Sequence, residues 1–162
     1  MQFEIVQDYA SSADEVVAAY ADVDLYPTLV GLPKLGGIEV LTHATDEATA
    51  RLRVRFRFTG HLPSAVTAVI DPDRLTWVQE SIHDLVSGFT RFRLVPDHYP
   101  DRLTASGSYL VQSAGSGARR VVSGDLKVRA PLVGGRVEAA IVSGLEEYLV
   151  AEAPAVDSHL GR

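Results

Sequence analysis

The chain has 162 residues, 46% hydrophobic and 22% charged, the balance of one globular domain that buries roughly two-thirds of its unfolded surface. A net charge of −6 argues against a nucleic-acid surface, which needs clustered positive charge, and no apolar run approaches the ~18–20 residues that span a bilayer. With no cysteine there is no disulfide, thiolate nucleophile or cysteine-ligated zinc; a cytoplasmic protein is expected, and the opening MQFEIVQDY has no signal-peptide pattern.

In chain order, Gln2 to Tyr9 alternates as a half-buried strand, with Phe3 and Ile5 on one side. Ser11 or Ser12 then caps a helix that carries Asp14 and Glu15 in its first turn and ends near Asp22. A second short helix is expected over Val23 to Val30, followed by the turn-rich GLPKLGG. Strands follow over Gly36–Thr45, Thr49–Thr59, Leu75–His83, Gly88–Val95, Leu103–Gln112 and Arg120–Ala130, with a further short one at Ala65–Ile70. Turn signals such as DPDR, PDHYPD and SAGSGA separate them, so seven or eight strands form an antiparallel meander. One long helix closes the chain over Pro131 to Ala153, where Val137, Ile141, Leu145 and Tyr148 make an apolar stripe containing Gly144. Pro131 suits its first turn, and Pro154, which cannot donate to the Val150 carbonyl, is expected to end or kink it.

The strand RLRVRFRF puts Leu52, Val54, Phe56 and Phe58 on one face and Arg51, Arg53, Arg55 and Arg57 on the other. An anion-binding ridge is one reading of those arginines; a solvated face paired across strands with residues such as Glu39 or Glu80 is the plainer one. A meander with one apolar face must cover it, and only the last helix is long enough to do so. The gap between a twisted sheet and that helix is a natural pocket.

Three stretches carry a family likeness: MQFEIVQDYASSADEVVAAYAD, RLTWVQES, and GDLKVRAPLVGGRVEAAIVSGLEEYLVAEA with its Gly134-Gly135 pair and Glu138. Through them the chain resembles the START-like, Bet v 1-like superfamily, which includes polyketide cyclases and lipid-transfer proteins, and within it the uncharacterised actinobacterial DUF2505 family. The resemblance implies a single START-like helix-grip domain over residues 1–162. That is an α+β fold in which a curved antiparallel sheet of seven or eight strands wraps a long C-terminal helix, with two short helices after the first strand. It also implies a hydrophobic pocket, and it brings no assigned activity.

Strand parity gives that pocket its lining. Phe56, Phe58, Trp77, Gln79, His83, Phe92 and Tyr109 face inward, and Ile141, Leu145 and Tyr148 meet them from the helix. Ser81 and Thr90 share the interior, while Val78 and Ile82 face out. Several buried polar groups together suggest water or a ligand headgroup, with Gln79 and His83 placed to orient a polar end.

Catalytic signals are weak. The histidines show no metal-ligand spacing, no GxSxG elbow is present, and His83 and Asp84 face opposite sides of their strand. Neither a metal nor a cofactor is expected. The leading reading is therefore a non-enzymatic binder of a hydrophobic or amphipathic small molecule such as a lipid, isoprenoid or polyketide. The alternatives are a cyclase- or aromatase-like enzyme using His83 or Tyr109, and a protein-interaction module.

Overall fold

Alternating apolar residues build the sheet of the computed structural model, which describes residues 1–162. Its strands are β1 (Gln2–Tyr9), β2 (Leu35–Thr45), β3 (Thr49–Phe58), β4 (Thr76–Asp84), β5 (Phe89–Pro96), β6 (Leu103–Ala114) and β7 (Gly117–Val128). They run in the order β1-β7-β6-β5-β4-β3-β2, every neighbouring pair antiparallel. Helix α1 (Ala13–Ala21) follows β1, α2 (Ser64–Thr67) precedes β4, and α3 (Gly134–His159) lies across β1 and β7. This is an α+β helix-grip fold of seven strands.

Local chemistry explains the ends. Ser12 and Glu15 form a reciprocal capping box that starts α1. At the start of α3, Gly134 lies so close to β7 that a Cβ would stand 2.6 Å from the Val128 carbonyl. One turn on, the Glu138 carboxylate accepts the Val128 N–H at 2.8 Å, which lowers its pKa. The Gly134…Glu138 element therefore fastens the helix start to the end of β7. Gly135 faces open space and takes no part.

Three expectations about the elements change. The stretch Ala65–Ile70 is not a strand: α2 occupies its start and buries Val66. The second short helix after β1 forms within Val23–Val30 as a 3-10 helix over Tyr26–Leu29, with Pro27 at its start. The last helix begins at Gly134 rather than Pro131, because Leu132 takes a left-handed φ of 64° that interrupts any helical run. It also continues through Pro154 to His159. An interior proline costs about 3 kcal/mol, and docking of the final turns offsets it: Ala153 and Val156 are buried, and Asp157 binds the backbone of Ala10 and Ser11.

On the outer face three of the four β3 arginines are paired: Arg53 with Glu80, Arg55 with Glu39 and Asp97, and Arg57 with Asp73. The plainer reading of RLRVRFRF therefore describes most of that face. Inside, Gly107 and Gly124 pair across β6 and β7. A Cβ on either would stand 2.7 Å or less from a ring atom of Phe92 or Phe3, so the two glycines let those rings lie against the backbone.

Candidate ligand cavity between the sheet and the last helix

Between the concave sheet face and α3 lies a cavity of about 70 Å³, with sixteen of its nineteen lining residues hydrophobic. Strand parity delivers the sheet side and helical periodicity the other. Of the ten residues expected at the site, Phe56, Trp77, Gln79, Phe92, Tyr109, Ile141, Leu145 and Tyr148 line it. Phe56 stacks on Trp77 and meets Tyr148 edge-on, which builds an aromatic wall.

Phe58 and His83 do not line it. Phe58 is buried against Gly144, where a helix Cβ would come within 2.6 Å of the ring. His83 sits one layer behind Tyr109. Its Nδ1 lies 3.0 Å from the Tyr109 hydroxyl and 3.2 Å from that of Thr90, while Nε2 lies 2.8 Å from Ser81 Oγ. Burial, then the charge of Arg120, pushes the His83 pKa down to about 4, so the ring is neutral at pH 7.

One end of the cavity is polar. Arg120 on β7 is 5% exposed, with its guanidinium between two rings, 3.9 Å from the centre of Tyr20 and 3.8 Å from that of Tyr109. Its Nη1 donates to Gln7 Oε1 at 2.9 Å and to Glu152 Oε2 at 3.1 Å. The same carboxylate oxygen accepts from the Tyr20 hydroxyl at 2.7 Å and Gln7 Nε2 at 3.3 Å. Since Tyr20 spends its proton there, the Tyr9 hydroxyl, 2.9 Å away, donates to Tyr20. Burial opposes the charge on Arg120, but the tyrosine oxygens and Glu152 outweigh it and hold that pKa well above its ordinary value. Burial likewise raises Tyr148 well above the usual phenol range, with Glu152 adding to the effect. Two buried donors have no partner: Arg120 Nε and the Tyr148 hydroxyl.

Arg120, Glu152, Gln7 and Tyr20 were not among the expected site residues. Their signal was present, because Gln7 shares parity with Phe3 and Ile5, Arg120 with Val122 and Leu126, and Glu152 follows Tyr148 by one helical turn. Charged types read as solvent-facing against that parity, and the buried pairing of Arg120 with Glu152 is what lets both lie inside. No three His, Asp or Glu side chains gather to hold a metal. In the PDHYPD loop, Asp97 is engaged by Arg55 and His98 by Arg74.

The model of a family described as a protein of unknown function, DUF2505, matches residues 4–160. The chain belongs to the DUF2505 family. No curated protein matches this DUF2505 sequence. Among solved structures it is similar to TTHA0849 of Thermus thermophilus, with a TM-score of 0.69 at 16% identity over 99% of this chain and 97% of that one. The Zhui aromatase/cyclase of a Streptomyces species follows at 0.68 and 18% identity, covering 100% and 94%. A START superfamily protein of Mycobacterium smegmatis scores 0.58 at 16% identity, covering 99% and 97%. At these identities the DUF2505 chain shares a fold with them. No helix of the DUF2505 protein is long and apolar enough to cross a membrane.

Proposed function

We propose that this DUF2505 protein binds a hydrophobic or amphipathic small molecule, of lipid, isoprenoid or polyketide type, between the sheet and α3, and does so in the cytoplasm. The observation that carries the reading is the cavity itself, apolar and aromatic along most of its wall and polar at one end. Phe56, Trp77, Phe92, Ile141 and Leu145 supply apolar contact, while Gln79, Tyr109 and Tyr148 offer polar atoms. Phe58 and His83 support the wall from behind. As it stands, about 70 Å³ holds only a few waters, so a larger guest displaces side chains such as the half-buried Leu145.

The enzymatic alternative draws on the fold shared with the Zhui aromatase/cyclase, but the interior gives it less support. Both ring nitrogens of His83 are engaged by hydroxyls, and the ring does not reach the cavity wall.

Native mass spectrometry on gently purified protein tests the binding reading. A co-purified mass that disappears on denaturation, and is absent from Leu145→Trp, supports it. If the wild type carries no mass and takes up no apolar small molecule, the reading fails.

A further inference from the structure

The two unpartnered donors point to what the guest carries. Arg120 Nε and the Tyr148 hydroxyl are the buried side-chain polar atoms without a hydrogen-bond partner, and both residues line the same cavity. A buried donor left unsatisfied is costly, and it becomes useful when a ligand supplies an acceptor. Resting on the reading of this cavity as a ligand site, we propose that it selects a neutral apolar molecule bearing a carbonyl-type acceptor, which Arg120 Nε and the Tyr148 hydroxyl bind together.

The choice of a neutral acceptor over a carboxylate follows from the charges already present. Arg120 is balanced by Glu152 through Nη1, and that carboxylate also takes the Tyr20 proton and a Gln7 N–H. The polar end therefore holds one positive and one negative charge, with the positive one enclosed by two rings. A ligand carboxylate would place a second negative charge beside Glu152 in a site shielded from water, where like charges repel strongly. A carbonyl oxygen accepts two donors without that repulsion. An alkane-like guest would leave both donors unsatisfied. Neither donor makes a well-formed hydrogen bond inside the protein, although the Tyr148 hydroxyl lies near enough to the Glu152 carboxylate to feel it, so a ligand acceptor displaces no established bond.

The test uses three probes of one shape: acetophenone, ethylbenzene and benzoate. Each is titrated into the isotope-labelled full chain, and cavity binding is read from backbone amide shifts around Val122, Leu126 and Leu145. Acetophenone is expected to bind at least tenfold more tightly than either of the others. Tyr148→Phe removes only an unpartnered hydroxyl, so it should fold normally, weaken acetophenone severalfold and leave ethylbenzene unchanged. Equal binding of acetophenone and ethylbenzene at the cavity overturns the acceptor preference and leaves the cavity reading standing. Tighter binding of benzoate overturns the charge argument in the same way. If no probe shifts the cavity amides, both fail. An unchanged acetophenone affinity in Tyr148→Phe removes Tyr148 from the proposal.

Discussion

Arg120 on β7 and Glu152 on α3 form the protein's one ion pair with both partners buried, their Nη1 and Oε2 atoms 3.1 Å apart. It joins the sheet to the helix that covers it, at the polar end of an otherwise apolar interior. Removing one member leaves the other charge buried and uncompensated, a loss of about 3–5 kcal/mol. Arg120→Met and Glu152→Leu should each fall in that range. The double variant should be more stable than either single one, because both desolvation penalties disappear together. Urea unfolding of the four proteins measures the coupling; additive losses would show that each side chain contributes alone.

His83 makes stability depend on mild acidity. Its pKa is about 4 in the fold, against an ordinary 6.5. Between those values the unfolded chain binds a proton that the folded one refuses, so stability falls as the pH drops from about 6.5 toward 4. A difference of that size corresponds to roughly 3 kcal/mol over the window. His83→Gln, which keeps hydrogen-bonding capacity and cannot charge, should flatten the curve between pH 6.5 and 4.5. The readout is the unfolding midpoint of both proteins across that range; parallel curves would assign the acid sensitivity to other groups.

Gly144 is a packing position of Phe58, not a cavity position. A Cβ there would stand 2.6 Å from Phe58 Cε2 and 3.4 Å from Lys34 Cβ. Gly144→Ala must therefore displace the Phe58 ring and should lower stability by about 1–3 kcal/mol, with Gly144→Leu costing more. Leu145→Trp, one residue on, fills cavity space instead. Comparing unfolding midpoints with probe binding separates the two: the Gly144 variants lose stability first, and Leu145→Trp loses uptake first.

Most of the architecture was legible because it rests on period. Two-residue alternation gave the strands and the inward faces of Phe56 and Trp77, though not the register that sets them opposite each other, and the spacing of Val137, Ile141 and Tyr148 gave the covering helix. What escaped was set by tertiary contact. Ala65–Ile70 is apolar enough for a strand but too short to distinguish from the helical turn that buries Val66. Arg120 and Glu152 each look like surface residues until the other is placed beside it. The polar end of the cavity was therefore hidden, although parity alone would have turned Gln7 and Arg120 inward.

The end of α3 illustrates the same override and yields a sharper test. Local chemistry would stop a helix at Pro154, yet Asp157 lies one turn beyond it and accepts the Ala10 N–H at 2.8 Å, the Ser11 N–H at 3.0 Å and the Ser11 hydroxyl at 2.7 Å. Ser11 is fully buried, and so is Val156 beside Asp157. These bonds tie the last turns to the corner between β1 and α1, outside the reach of helix propensity. Hydrogen bonds to a charged group contribute about 1.5–3 kcal/mol each before relaxation, enough to offset the proline penalty of about 3 kcal/mol. Asp157→Ala should therefore unravel the helix beyond Pro154 while the sheet stays folded. Amide exchange from residue 154 to 160 would rise sharply, with little change in β6 and β7. Pro154→Ala in the same background should restore much of the protection, since it returns the missing N–H. If exchange rises equally throughout the protein, the last turns are part of the global folding unit and not a separately anchored extension.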